Sequence, residues 1–160
     1  MMDVLTAKGQ ESLKMELEAV KVFERNHPNL KYVHTPKESV ASVDGILVSQ
    51  GRLIKRVVET KCRYNLGLEK FQNKYENLWL VTFDKVARAI EVSKALQVPL
   101  TGFLYLVQEQ TLLVKTLWRP VEGLVAPIAI RQSETRETIN GGTAIRANAY
   151  IDMSGAAVLT

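Results

Sequence analysis

Cysteine, histidine and long apolar runs are all scarce in this chain, and each scarcity closes off a class of function. One cysteine, Cys62, rules out an internal disulfide, and with only His27 and His34 beside it a closed Cys/His zinc site cannot be assembled. The longest apolar stretches, residues 78–83 and 100–107, fall far short of the roughly 18 residues of a membrane span. Residues 3–11 are charged and polar where a signal peptide would carry an apolar run, so a soluble, cytoplasmic protein with no membrane partner is expected. Gly141-Gly142-Thr143 lacks the lysine and the strand-to-helix setting of a phosphate-binding loop, and reads as a turn. Neither Ser154-Gly155 nor Ser49-Gln50-Gly51 forms a nucleophile elbow. There is no internal repeat and no low-complexity tract.

What remains is an ordinary globular composition: 160 residues, 46% hydrophobic and 24% charged, enough for one domain with its own core. The net charge of +4 permits a polyanionic partner without requiring one. Its distribution says more, since residues 52–74 hold seven basic side chains (Arg52, Lys55, Arg56, Lys61, Arg63, Lys70, Lys74) against two acids, Glu59 and Glu69. Such a surplus suits phosphates that must approach carboxylates, and it equally suits a solvated basic face.

Helical spacing of Leu13, Leu17, Val20 and Phe23 predicts a helix over about residues 6–25, stopped at His27-Pro28. Residues 30–34 alternate like a strand, and Thr35-Pro36-Lys37-Glu38 reads as a loop. Residues 42–48 and 53–61 form a hairpin across Ser49-Gln50-Gly51, where glycine admits a tight turn. A helix follows over 68–78 with Phe71, Tyr75 and Leu78 on one side, residues 78–82 being either its continuation or a short strand. Another helix runs from Asp84, with a cap near Thr82, to just before Pro99. Strands then cover 100–108 and 111–117. The order predicts an α/β or α+β fold built around a mixed sheet flanked by helices. One domain is expected, with a core over about 6–118 and residues 119–160 as an extension packing on it, in which 144–153 is the convincing strand.

The hairpin brings Asp44, Glu59 and Lys61 together. Alternate strand residues share a face, so Glu59 and Lys61 are neighbours, and the turn lays the Asp44 strand alongside. Two acidic oxygen donors beside a lysine are the parts with which a Mg²⁺-dependent phosphodiester hydrolase holds its metal and its water. The bland reading is a Glu/Lys pair on a solvated sheet face, worth little to stability. Against it, Glu59-Thr60-Lys61 is the chain's single Asp/Glu-x-Lys triplet, at the end of an apolar strand preceded by an Asp-Gly strand.

Asp44 followed by Glu59-Thr60-Lys61 resembles the motif of the PD-(D/E)XK nuclease superfamily, which includes restriction endonucleases, Holliday junction resolvases and RecB-like or phage-type exonucleases. The resemblance implies a restriction-endonuclease-like mixed sheet flanked by helices, and the predicted element order matches it over about residues 6–107; Val43 stands where the motif's name has proline, a position that varies in the family. The resemblance implies a metal-dependent nuclease acting on DNA, with Asp44, Glu59 and the Thr60 carbonyl holding Mg²⁺ or Mn²⁺ and Lys61 positioning water and neutralising phosphate charge. It implies a helix-one carboxylate too, for which Glu16 fits because it falls within the arc of Leu13, Leu17 and Val20 while Glu11 and Glu18 fall opposite. A loose match to a glutamine and a tyrosine on the following helix points to Gln72, with Tyr75 read as core. Arg63, Lys70 and Lys74 would hold the nucleic-acid backbone, and Lys85 and Arg88 on the later helix are expected to matter less. The size suits a homo-oligomer. The rival reading is a non-catalytic nucleic-acid-binding or assembly module that keeps the fold, and a weaker one is a purely structural domain.

Overall fold

The computed structural model describes residues 6–36, 41–134 and 141–160. Lys37 and Glu38 of the predicted loop, and residues 3–5 of the polar leader, lie outside them. Helix α1 (Ala7–Asn26) begins where the Thr6 hydroxyl accepts the Gly9 N–H at 3.0 Å, capping one of the orphan donors of the first turn. Strands β1 (Leu30–His34), β2 (Gly45–Ser49) and β3 (Ile54–Arg63) then pair antiparallel in sequence order.

From β3 the chain crosses over through α2 (Leu68–Asn73), β4 (Leu78–Thr82) and α3 (Phe83–Leu96) to β5 (Leu100–Leu106), which lies parallel to β3. Gln97, at a left-handed φ of 56°, ends α3 ahead of Pro99. A 3₁₀ turn leads to β6 (Thr111–Arg119), and β7 (Gly123–Leu124), β8 (Ile128–Glu134), β9 (Ile145–Asp152) and β10 (Ala157–Leu159) follow. The main sheet runs β1-β2-β3-β5-β6-β10 with β7 on β6, and a second sheet runs β4-β9-β8. The fold is therefore mixed α/β, as expected, but with two sheets.

The main sheet is covered on both faces. On one, α1 contributes Ala19, Val20, Val22 and Phe23 against Leu47, Val58, Phe103 and Leu112. On the other, α3 and the second sheet contribute Val86, Ala89, Trp79 and Ile151 against Val57, Leu104 and Leu117. Each large apolar side chain among them, wholly removed from water, contributes about 1.5–3 kcal/mol.

Three local readings change. Leu17 is 48% exposed, because α1 docks through small Ala19 and the Val22/Phe23 edge, turning its buried face away from Leu17. The helix predicted over 68–78 stops at Asn73, where Glu76 and Asn77 adopt positive φ and the chain turns into β4. Tyr75 is consequently 45% exposed rather than core, with the Lys74 ammonium 5.8 Å from its ring centre.

Candidate functional site

The site forms where β2 and β3 part company. Their ladder reaches no further than Gly45 opposite Val58, with the Asp44 N–H donating to the Val58 carbonyl at 3.2 Å. Instead of continuing the ladder by its backbone, Asp44 uses its side chain: Oδ2 accepts the Thr60 N–H at 2.8 Å. The other end of this corner is tied by Thr35, whose hydroxyl donates to the Val43 and Asp44 carbonyls at 2.6 and 3.0 Å. Gly45 is required here by close approach, since a Cβ would sit 2.3 Å from the Tyr32 ring.

In a strand the N–H and C=O of one residue point to the same edge, so the Thr60 carbonyl faces the opening that β2 leaves. Glu59 and Lys61 point to the α3 face. Glu59 is 4% exposed, and Lys85 from the first turn of α3 reaches its Oε1 at 3.7 Å. Thr60 and Cys62 point to the α1 face. Glu16 approaches from there as well, about 20° from Phe23 on the helical wheel and so on the buried side of α1. Glu16 and Glu59 thus come to the Asp44 corner from opposite faces of the sheet. Glu11 is exposed and Glu18 pairs with Lys21 at 2.9 Å.

Electrostatics bind these groups into one locus. Burial pulls the Lys61 ammonium below the ordinary lysine value, Arg63 and Lys85 add to this, and Glu59 and Asp44 oppose it. Burial raises the Tyr32 hydroxyl, a hydrogen bond with Thr60 opposes this, and the charges of Asp44, Glu16 and Glu59 push further up. The Cys62 thiol is pushed up to about 12, first by burial and then by Glu16. Cys62 is half-buried on the α1 face, opposite Lys61, as strand alternation predicts.

The remaining predicted residues are spread more widely. Gln72 is exposed on α2, away from the hydrogen bonds that tie the corner together. Lys70 and Lys74 are exposed, whereas Arg63 is half-buried and spends its Nη2 on the Leu80 carbonyl of β4 at 2.8 Å. Two members of the locus lie outside the sequence expectation. Tyr32 is signalled by strand alternation in β1, and Lys85 by its place on the helix that makes the parallel crossover, the element that necessarily lies over β3. Lys85, expected to matter less, is the α3 cation that meets Glu59.

Among the described residues no three His, Cys, Asp or Glu side chains stand close enough together to hold a metal ion. Mg²⁺ asks for less, commonly one or two carboxylates completed by waters and substrate phosphate. Asp44, Glu59 and the outward-facing Thr60 carbonyl are hard oxygen donors of that kind, so the residues fit such an ion. A groove of about 750 Å³ lies along α3, lined by Ser42, Phe83, Ala87, Arg88, Leu124 and Ile130 among others. No helix among the described residues is long and apolar enough to cross a membrane. The chain matches no protein-family model, and neither a curated protein nor a solved structure matches it.

Proposed function

We propose that this chain is a metal-dependent nuclease of the PD-(D/E)XK type that hydrolyses phosphodiester bonds in DNA. The observation that carries the reading is the Asp44 carboxylate clamped at 2.8 Å to the backbone of the Glu59-Thr60-Lys61 strand. A strand corner that holds a carboxylate rigidly next to a buried glutamate and a lysine of lowered proton affinity is preorganised for phosphate chemistry. Asp44, Glu59 and the Thr60 carbonyl would hold Mg²⁺ or Mn²⁺, with Glu16 acting from the α1 face. When bound, the ion supplies a polarised phosphate and a more acidic water.

The chain's own part is positional and electrostatic. Lys61, on the same face as Glu59, directs its Nζ donors at a phosphate oxygen or the attacking water, and burial lowers its proton affinity. Arg63, Lys70 and Lys74 extend positive charge from this corner along the approaching strand of DNA. Cleavage of single-stranded, duplex and branched DNA with Mg²⁺ or Mn²⁺ tests the reading. Asp44→Asn and Glu59→Gln are expected to abolish it with the fold intact, because the amide oxygen of an asparagine in place of Asp44 can still accept from Thr60; near-normal cutting by either variant refutes the assignment.

The second reading, a nucleic-acid-binding or assembly module that does not cut, is favoured by the Lys85 cation at Glu59. Calorimetry separates the two. Divalent-ion binding that depends on Asp44 and Glu59 supports the enzyme, and DNA binding without it supports the module.

A further inference from the structure

A second concentration of chemistry lies at the other end of β3, on the α1 face. Arg56 is half-buried there and donates both Nη1 hydrogens to hydroxyls, Thr101 Oγ1 at 3.1 Å and Thr116 Oγ1 at 3.0 Å. The two threonines face each other across β5 and β6. Arg56 lies three residues from Glu59, about 10 Å along the strand at 3.3 Å per residue, and points to the opposite face. This place is distinct from the Asp44 corner.

Two bulges shape it. Between β2 and β3 the register moves from Leu47 opposite Arg56 to Val48 opposite Ile54, leaving Lys55 as the extra residue. Between β5 and β6 it moves from Leu100 opposite Trp118 to Thr101 opposite Thr116, leaving Leu117 extra. Leu117 and Trp118 therefore both enter the core on the α3 side. The next residue, Arg119, returns to the face of Thr116 and Arg56. Bulges re-aim side chains in this way beside functional sites.

The outcome is two guanidinium groups on one patch. Among the described residues neither Arg56 nor Arg119 makes an ion pair. Arg119 adds to the burial that lowers the proton affinity of Arg56. Arginine does not give up its proton, so the charge stays, and a partly desolvated charge is costly until it is paired. The hydroxyls offer dipoles without charge. They do orient the fork: with Nη1 engaged, the Nε and Nη2 donors remain along one edge, the geometry that grips two oxygens of one anion.

We infer that Arg56, Arg119, Thr101 and Thr116 form an oxyanion site for a phosphate group, either free inorganic phosphate or a phosphate of a nucleic acid. Two cations around one site match the charge of phosphate better than that of a single carboxylate. The rigid hydroxyl-held fork sets the bidentate contact, and exposed Arg119 closes over it.

The test follows the Arg56 and Arg119 Nε–Hε resonances of the full chain by NMR during titration with sodium phosphate, against sodium chloride at matched ionic strength. A saturable shift with a dissociation constant on the order of 1 mM or tighter is expected. Affinity should fall by about tenfold or more in Arg119→Gln and in Arg56→Lys, and persist in Lys94→Gln. Should Arg56→Lys unfold, exposed Arg119→Gln still decides. A parallel titration with a short oligonucleotide, with and without a 5′-phosphate, identifies the source: saturation by inorganic phosphate assigns the free anion, and a shift with the oligonucleotide alone assigns the nucleic acid. Shifts that do not saturate with either probe, or that survive Arg119→Gln unchanged, overturn the site.

Discussion

Glu59 is 4% exposed in the middle of a sheet, and the cation that answers it, Lys85, has a side chain 58% exposed and 3.7 Å away. A loose contact to a solvated lysine is worth little, and on the proposed nuclease reading a divalent ion at Glu59 displaces Lys85. Lys85→Ala is therefore expected to tighten divalent-ion binding several-fold in a calorimetric titration, whereas Arg88→Ala leaves it unchanged; equal affinities in both variants would mean that Lys85 and the metal do not share Glu59. Cys62 provides a pH-dependent check on the other face. Its folded value of about 12 lies above the unfolded thiol at about 8.5, so the stability it contributes is whole below the unfolded value and is lost as pH rises through the interval to about 12. Native Cys62 should accordingly react with iodoacetamide at pH 8.5 at least about tenfold more slowly than in urea, and Glu16→Gln should hasten it by removing the second cause of the shift. Alkylation at the free-thiol rate would contradict the burial.

At the scale of elements, the contacts that set the geometry involve residues without side chains. Gly102 in β5 lies under Trp79 of β4, and a Cβ there would stand 2.6 Å from the Trp79 ring and 3.1 Å from Leu117. Because Trp79 is buried and rigid, Gly102→Ala must move the second sheet off the first, at about 1–3 kcal/mol in urea denaturation. A neutral substitution would show that this interface yields. These contacts also explain what is legible in the sequence. β1 is legible to the residue and α1 and α3 nearly so, because their apolar periodicity is local; the Asp44 and Glu59-Thr60-Lys61 pairing is legible because a hairpin is local too. The buried face of α1 is not, since Ala19 gains its place from the sheet it approaches rather than from hydrophobicity. Lys85 is hidden for a related reason: with 78–82 undecided between helix and strand, the crossover helix cannot be assigned, and α2 is credited with a role over the site that α3 fills.

On the scale of the whole molecule, the sequence marks residues 119–160 as an extension with one convincing strand, and 144–153 is indeed β9 within one residue at either end. Its weight in the fold is invisible there because β8 is exposed along nearly its whole length and carries no alternating pattern. β9 is the centre of the second sheet, pairing with β4 on one side and β8 on the other. Ala149, Ile151 and Met153 are at most 2% exposed and pack in the same cluster as Val57 and Leu104 of the main sheet. A chain cut after residue 119 would leave β4 without its partner strand and Trp79 without cover. It is therefore expected to lose cooperative unfolding altogether rather than to melt a few degrees lower. Ile151→Ala, which removes atoms without removing chain, should cost about 2–5 kcal/mol, a large share of the roughly 5–15 kcal/mol that holds a domain together. Near-ultraviolet circular dichroism and a urea titration measure both. If the shortened chain keeps a native aromatic spectrum and a sigmoidal transition, the main sheet stands without its cover.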